Sequence, residues 1–323
     1  LCSGGLDSIL SALVLRDQGI EVAWITFETP FFSSQKARAA SNRTGVPLMV
    51  REITETYLGM LRNPRAGYGK NMNPCLDCHS LMFRLAGEIM QEQGFDFLFS
   101  GEVLGQRPMS QNRPALSYVL KHSGFGPHIL RPLSAKLLPK TAAEENGLVD
   151  RERLLAFSGR SRKPQMALAE KFGIKEYPTP AGGCLLTDVG FSRRLSDLFG
   201  HEEGGPSTVR EIELLKHGRH FRLSPLAKAA VGRNEAENES ICALYDAGAD
   251  VLFWAENVPG PRVLVPRGAG LEEAELVKAA GLAACYSKAE QGSRVAVRAC
   301  SARGERTLSL EVPDRAHYKA NIL

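Results

Sequence analysis

A chain of 323 residues, 43% of them hydrophobic, has enough apolar surface for more than one packed core, so its length predicts two domains. A formal net charge of +4 admits an anionic partner but does not by itself mark a nucleic-acid binder. No apolar run approaches the roughly 18 residues that span a bilayer, and no basic-then-apolar leader opens the sequence, so a cytoplasmic protein without membrane attachment is expected. In that compartment the seven cysteines read as thiols, ligands or catalysts rather than as disulfides.

The first element is Ser3-Gly4-Gly5-Leu6-Asp7-Ser8. Ile9, Leu10, Leu13 and Val14 follow at helical spacing, so the glycines occupy a strand-to-helix turn and a helix begins near Asp7. Leu1 and Cys2 are too short to make the preceding strand, so further residues are expected ahead of Leu1. Free N–H groups at a helix start face an incoming anion. Gly4 and Gly5 admit a phosphate close to the backbone, Ser3 and Ser8 add hydroxyls, and Asp7 caps the helix or holds a metal. The Lys-Ser/Thr pair of a Walker loop is missing. A plain cap and turn is the bland alternative.

From the loop to Phe199, strand and helix patterns alternate: strands over 21–27, 47–53 and 95–100, and helices over 34–43, 78–93 and 165–172. That alternation predicts an α/β domain over 1–204, with a mostly parallel, Rossmann-like sheet, helices on both faces, and ligands beyond the carboxyl ends of its strands. Gly101, Glu102 and Gln106, in Ser100-Gly101-Glu102-Val103-Leu104-Gly105-Gln106, follow such an end and are candidate nucleotide, metal or acceptor contacts; a polar turn is the alternative.

The SGGxDS pattern of Ser3 to Ser8 resembles the loop of the ATP pyrophosphatase (PP-loop) superfamily. Together with GEVLGQ, Ser110-Gln111 and Arg131-Pro132-Leu133, the first 190 or so residues are similar to the catalytic domain of tRNA 4-thiouridine synthetases, a group of tRNA sulfurtransferases akin to the 2-thiouridylases. Three residues, Arg107-Pro108-Met109, separate GQ from SQ, one more than that family's usual spacing. The resemblance implies ATP and Mg2+ as cofactors, tRNA as partner, and a two-step reaction. ATP adenylates a uridine carbonyl oxygen with release of pyrophosphate, and sulfur then displaces AMP. Lys136 and Lys140 are candidate counter-charges for the pyrophosphate, or solvated lysines.

Sulfur chemistry draws attention to Cys75 and Cys78, spaced CxxC ahead of the predicted helix, whose positive end lowers thiol pKa, and to Cys184 behind Ala181-Gly182-Gly183. Two thiols at a turn is the bland reading, and a zinc site would have only His79 as a nearby fourth ligand. Two functional readings stay open. By resemblance to cluster-dependent thiolases, Cys75, Cys78 and Cys184 hold a [4Fe-4S] cluster with one open iron. Alternatively Cys184 carries a persulfide and a CxxC cysteine resolves it through a disulfide. The sulfur donor expected for the reaction as a whole is sulfide or a cysteine desulfurase-type carrier. Asp7, Cys75 and Cys184 are the candidate catalytic residues. Cys242, Cys285 and Cys300 lie among alanines and valines and read as small core residues.

Turn formers and charge from His201 to Ser207 predict a boundary, with a small α+β domain over 205–323 containing one clear helix from Leu271 to about Ala280. Its Val231-Gly232-Arg233-Asn234-Glu235-Ala236-Glu237-Asn238, Leu252-Phe253-Trp254, Asn257-Val258-Pro259-Gly260-Pro261-Arg262 and AACYSK over 283–288 resemble the RNA-binding domain of NFACT proteins. From Pro206 onward, 16 Lys plus Arg face 15 Asp plus Glu, so any RNA site is a local patch. Arg233, Arg262 and Lys288, with Arg267 and Arg298, are candidate phosphate contacts, and Trp254 is a stacking face or ordinary core. Arg160, Arg162 and Lys163 form a second cationic cluster, either a tRNA contact or a solvated helix start. The reading is an ATP-dependent tRNA thiolase. Its alternatives are a PP-loop enzyme that adenylates a small molecule and a non-catalytic RNA-binding adaptor.

Overall fold

Strand and helix lengths follow where apolar periodicity stops and glycine intervenes. The computed structural model describes residues 1–177, 184–202 and 205–323. The chain divides into two compact units, Leu1–Leu185 and Leu186–Leu323.

In the first unit, α1 (Leu6–Arg16) leads to β1 (Trp24–Glu28), α2 (Gln35–Thr44), β2 (Leu48–Glu52), α3 (Thr54–Arg62), α4 (Cys75–Gln93) and β3 (Leu98–Phe99). There follow α5 (Arg113–Ser123), β4 (Ile129–Leu130), the single turn α6 (Ala142–Glu145) and α7 (Lys163–Lys171). Helices α2 and α4 end on Gly45 and Gly94 in the left-handed conformation, which a residue without Cβ adopts freely. Strand β1 pairs with β2 and β3 with β4, both parallel. The Leu1 amino group donates to the Phe99 carbonyl at 2.7 Å and the Cys2 N–H to the Ile25 carbonyl at 2.9 Å, so the first two residues bridge the two pairs. Ile9, Leu10 and Leu15 of α1 and Trp24 of β1 are fully buried in the same core.

The second unit holds α8 (Val189–Phe199), α9 (Val209–Leu214), β5 (Arg219–Arg222), β6 (Lys228–Val231), α10 (Glu235–Ala243), β7 (Val251–Ala255), β8 (Val263–Val265), α11 (Glu273–Cys285), β9 (Arg294–Ser301) and β10 (Gly304–Glu311). Its strands form one antiparallel sheet in the order β10-β9-β7-β8-β6-β5. Alternation along β7 divides the packing. Val251, Phe253 and Ala255 face the cluster shared with α11, while Leu252 and Trp254 face the one shared with Leu214 and Ile241.

The mixed α/β composition agrees with the sequence reading, but the largest sheet is antiparallel and belongs to the second unit. The parallel strands of the first unit stand as two short pairs rather than one continuous ladder. The division also falls ahead of the turn-rich segment at His201 to Ser207, part of which lies outside the described residues. Asp197 on α8 explains this: it pairs with Arg222 at 2.7 Å and Lys228 at 3.0 Å, both from the β5–β6 hairpin. Two helices beyond the one expected, α9 and α10, open on Thr208 and Asn234, whose side chains accept from the N–H of Glu211 and Glu237. No helix among the described residues is long and apolar enough to cross a membrane.

Phe253 is fully buried at the centre of the second unit. Phe253→Ala is expected to cost about 3–5 kcal/mol through lost burial and a residual cavity, read as a lowered urea midpoint of that unit.

Candidate functional site

The helix start of α1 is built by glycine. Gly4 has φ +69°, and a Cβ there would stand 2.2 Å from the Lys36 carbonyl carbon, so only glycine fits against α2. No side chain caps α1, so the N–H groups of its first turn stay directed out of the helix. Around them, the Ser3 and Ser8 hydroxyls are 3.0 Å apart, and the Gly5 N–H donates to Ser3 Oγ at 3.4 Å.

The segment after β3 closes on this turn. A Cβ on Gly101 would lie 2.4 Å from the Ser8 nitrogen, and the Ser11 hydroxyl donates to the Ser100 carbonyl at 3.2 Å. Gln106 Nε2 donates to Asp7 Oδ2 at 2.7 Å, and Gln165 Nε2 donates to Gln106 Oε1 at 2.9 Å. Asp7 Oδ1 and Gln165 Oε1 are buried without a hydrogen-bond partner. Burial pushes the Asp7 carboxyl above its ordinary range, against hydrogen bonding from Gln106 and Gln165 and the charges of Arg162 and Arg107. An unsatisfied carboxylate oxygen beside uncapped N–H groups fits a hard divalent cation with phosphate, which is the chemistry of ATP–Mg2+.

The structure thus brings Ser3 to Ser8, Gly101 and Gln106 together and sets Arg162 within electrostatic reach. Glu102 takes part in an inner network. It is buried, with Arg131 Nε at 2.9 Å and His79 Nδ1 at 2.9 Å. Burial alone would raise its pKa, but Arg131 and His79 outweigh it and hold the carboxyl down at about 2. Its lone pairs serve this inner network, which ties β3 to α4 and β4. Lys136 donates to the Glu152 carbonyl at 2.7 Å, and Lys140 is exposed.

The thiols form a second centre. Helix α4 begins at Cys75, three residues earlier than its apolar pattern implied, so both CxxC cysteines lie in its first turn. Asn73 Nδ2 donates to Cys75 Sγ at 3.4 Å, and the Tyr57 hydroxyl bonds the Cys78 sulfur. Cys184 donates to the Phe31 carbonyl at 3.9 Å. Cys75, Cys78 and Cys184 all act on Tyr57, so the three share one neighbourhood; Ala181-Gly182-Gly183 lies outside the described residues. The expected thiolate at the helix start is not what Cys78 offers. Burial pushes its thiol up to about 12, because desolvating a thiolate costs more than the Tyr57 hydrogen bond returns. Among the described residues, no three His, Cys, Asp or Glu side chains are placed to hold a single metal ion. Cys242, expected in the core, is exposed, whereas Cys285 is buried.

In the second unit, Arg262 lies 4.6 Å and Arg298 5.9 Å from the Trp254 ring centre. Arg298 is also paired with Glu256 and Glu305, Arg233 with Glu237, and Arg267 with Glu211. The glycine motifs are packing junctions: a Cβ on Gly232 would meet Asn238 Oδ1 at 2.1 Å, and one on Gly260 would meet Ser287 at 2.9 Å. Arg160 and Lys163 are exposed ahead of and at the start of α7. The buried triad of Glu102, Arg131 and His79 was missed as a unit, since its members lie far apart in sequence.

Residues 218–319 match the family model described as the NFACT protein RNA binding domain. Over 108 residues the chain is 29% identical to tRNA-specific 2-thiouridylase MnmA 3 from two strains of Bacteroides fragilis, covering 31% of this chain. The chain spans 28% of the length of those curated relatives. A solved structure of the C-terminal part of the fibronectin/fibrinogen-binding protein from Streptococcus suis aligns over 77% of this chain and 90% of that one, at 16% identity and a TM-score of 0.30.

Two measurements test the site's electrostatics. At pH 8, Cys78 is expected to react with iodoacetamide about a thousandfold more slowly in the folded protein than after urea unfolding, read by peptide mass spectrometry. Glu102 has a folded pKa of about 2 against an ordinary 4.5, so its contribution, on the order of 3 kcal/mol, is complete above pH 4.5 and disappears as pH falls toward 2. Urea midpoints across that range should fall in the native protein, and Glu102→Gln should remove this part of the slope.

Proposed function

We propose that this chain is an ATP-dependent tRNA thiolase. The observation that carries the reading is the convergence of Gly101 and Gln106 on the uncapped start of α1, where Asp7 Oδ1 is buried without a partner. The NFACT-type RNA-binding match and the partial similarity to a tRNA-specific 2-thiouridylase support tRNA as the acceptor.

A uridine carbonyl oxygen is a poor leaving group until it is esterified to phosphate. In the proposed first step that oxygen attacks the α-phosphorus of ATP and the bond to pyrophosphate breaks. The N–H groups of the first turn of α1 and the Ser3 and Ser8 hydroxyls hold the departing phosphates, and Gln106 fixes the rotamer of Asp7. Mg2+ at Asp7 would supply charge neutralisation to the pyrophosphate. Arg162 and Arg107 add positive potential at the same place.

In the second step a sulfur nucleophile attacks the activated carbon and AMP leaves. The proposed second step takes the thiol route. The terminal sulfur of a Cys184 persulfide, supplied by an external donor, forms the new C–S bond. A thiolate of Cys75 then attacks Cys184 Sγ, releasing the thiouridine and leaving a Cys75–Cys184 disulfide that an external dithiol reduces. Cys78, held protonated by burial and bonded to Tyr57, is the poorer attacking group.

Pyrophosphate release measured with and without tRNA tests the reading. Release is expected to require tRNA and to fall about a hundredfold or more in Asp7→Asn. Cys184→Ser should still release pyrophosphate while yielding no thiouridine by nucleoside mass spectrometry. Equal turnover without RNA would mean a small-molecule acceptor, and no turnover under any condition would mean an adaptor.

A further inference from the structure

The antiparallel pairing of β5 and β6 sets His220 opposite Ala230 and Arg222 opposite Lys228. Because alternate residues share a face, all four point to the same side of the sheet. There a cavity of about 290 Å³ lies between the hairpin, α9 and the loop after β8. Its walls are mostly apolar, including Leu198, Leu214, Leu215, Leu226, Pro266 and Leu271.

Two polar groups on this wall are incompletely used. Lys228 is buried, and its ammonium donates to the Arg194 carbonyl at 2.9 Å and pairs with Asp197 at 3.0 Å, which leaves one of its three N–H groups. His220 is 1% exposed; its Nε2 faces the His217 carbonyl at 2.9 Å and therefore carries the proton. Its Nδ1 is then an acceptor, and it is buried with no partner. The buried Lys228 and Arg194 charges, with burial itself, hold the ring neutral by pushing its pKa well down. Asp197 is occupied by Arg222 and Lys228, and Glu211 by Arg267, so no unpaired carboxylate among the lining residues repels a carbonyl oxygen.

We propose that this cavity accepts one unpaired nucleobase, with Lys228 as donor and His220 Nδ1 as acceptor to its pairing edge. The Watson–Crick edge of every base presents an acceptor beside a donor, and its faces are apolar enough for leucine walls. The volume stands near the lower end of small-molecule sites, room for a base and not for a whole nucleotide. Unpaired bases splayed from a loop are what RNA-binding modules read by such edge contacts. The inference rests on the RNA-directed reading of the second unit and adds the group that is bound.

The test uses the full chain and saturation-transfer NMR with uridine, adenosine, ribose 5-phosphate and inorganic phosphate. Signals are expected from the bases and not from ribose 5-phosphate or phosphate. Lys228→Met removes the donor but also unpairs buried Asp197, so the decisive variant is Leu226→Trp, at a position 59% exposed on the rim, which plugs the cavity. It should keep the native thermal midpoint, abolish the base signals and weaken binding of a single-stranded oligoribonucleotide about tenfold. Signals from phosphate alone would make this an anion site and overturn the proposal, as would an absence of base signals or base signals that survive Leu226→Trp. RNA binding that persists unchanged in Leu226→Trp overturns the pocket but not the RNA-binding reading. Failure of the native chain to bind any RNA overturns that reading instead, while the nucleoside spectra still judge the cavity.

Discussion

The contact between Gly101 and the first turn of α1 is the constraint on which the first unit depends. Backbone meets backbone there so closely that a Cβ would fall within 2.4 Å of the Ser8 nitrogen. Because nothing intervenes, the chain leaving β3 delivers Gln106 onto Asp7, and Gln106 in turn receives Gln165 from α7. Three segments distant in sequence thereby converge on one uncapped helix end. The same closeness exists on the other side, where Gly4 lies against the Lys36 carbonyl. The loop is thus gripped between α2 and the segment after β3, and its amides are fixed in direction before any anion arrives, which avoids reorganisation when charge develops.

Below that turn, Glu102 shows how a conspicuous acidic residue is used when it is buried. Its carboxylate answers Arg131 and His79, so the opposite charges of the GEVLGQ and RPL motifs neutralise each other inside the unit. Removing one partner of such a buried pair leaves the other charge unpaired, so the network is costly to break where β3, β4 and α4 meet. The cysteine centre obeys the same physics in reverse. Burial keeps Cys78 protonated, although the Tyr57 hydrogen bond by itself favours the thiolate.

The second unit spends most of its basic residues internally. Arg233, Arg267 and Arg298 answer Glu237, Glu211, Glu256 and Glu305, and the near-zero charge of this half is a folded network rather than a weak field. Arg262, seated over Trp254, combines a guanidinium with an aromatic face. In the leucine-lined cavity, His220 Nδ1 is buried without a hydrogen-bond partner.

The sequence by itself determined what is local. Apolar periodicity placed α1, β1, α2, β2 and α7 within a few residues. The SGGxDS spacing placed a glycine turn at a helix start, because both are local facts. It overlooked α9 and α10, although Thr208 with Glu211 and Asn234 with Glu237 were capping signals in plain view. Only tertiary structure decided which charges remain available and which thiols can ionise, since burial and partners come from residues tens of positions away. Glu102 became an inner ion pair, Asp7 acquired an unsatisfied oxygen, Cys78 lost its thiolate, and α8 joined the second unit through Asp197, all for that reason.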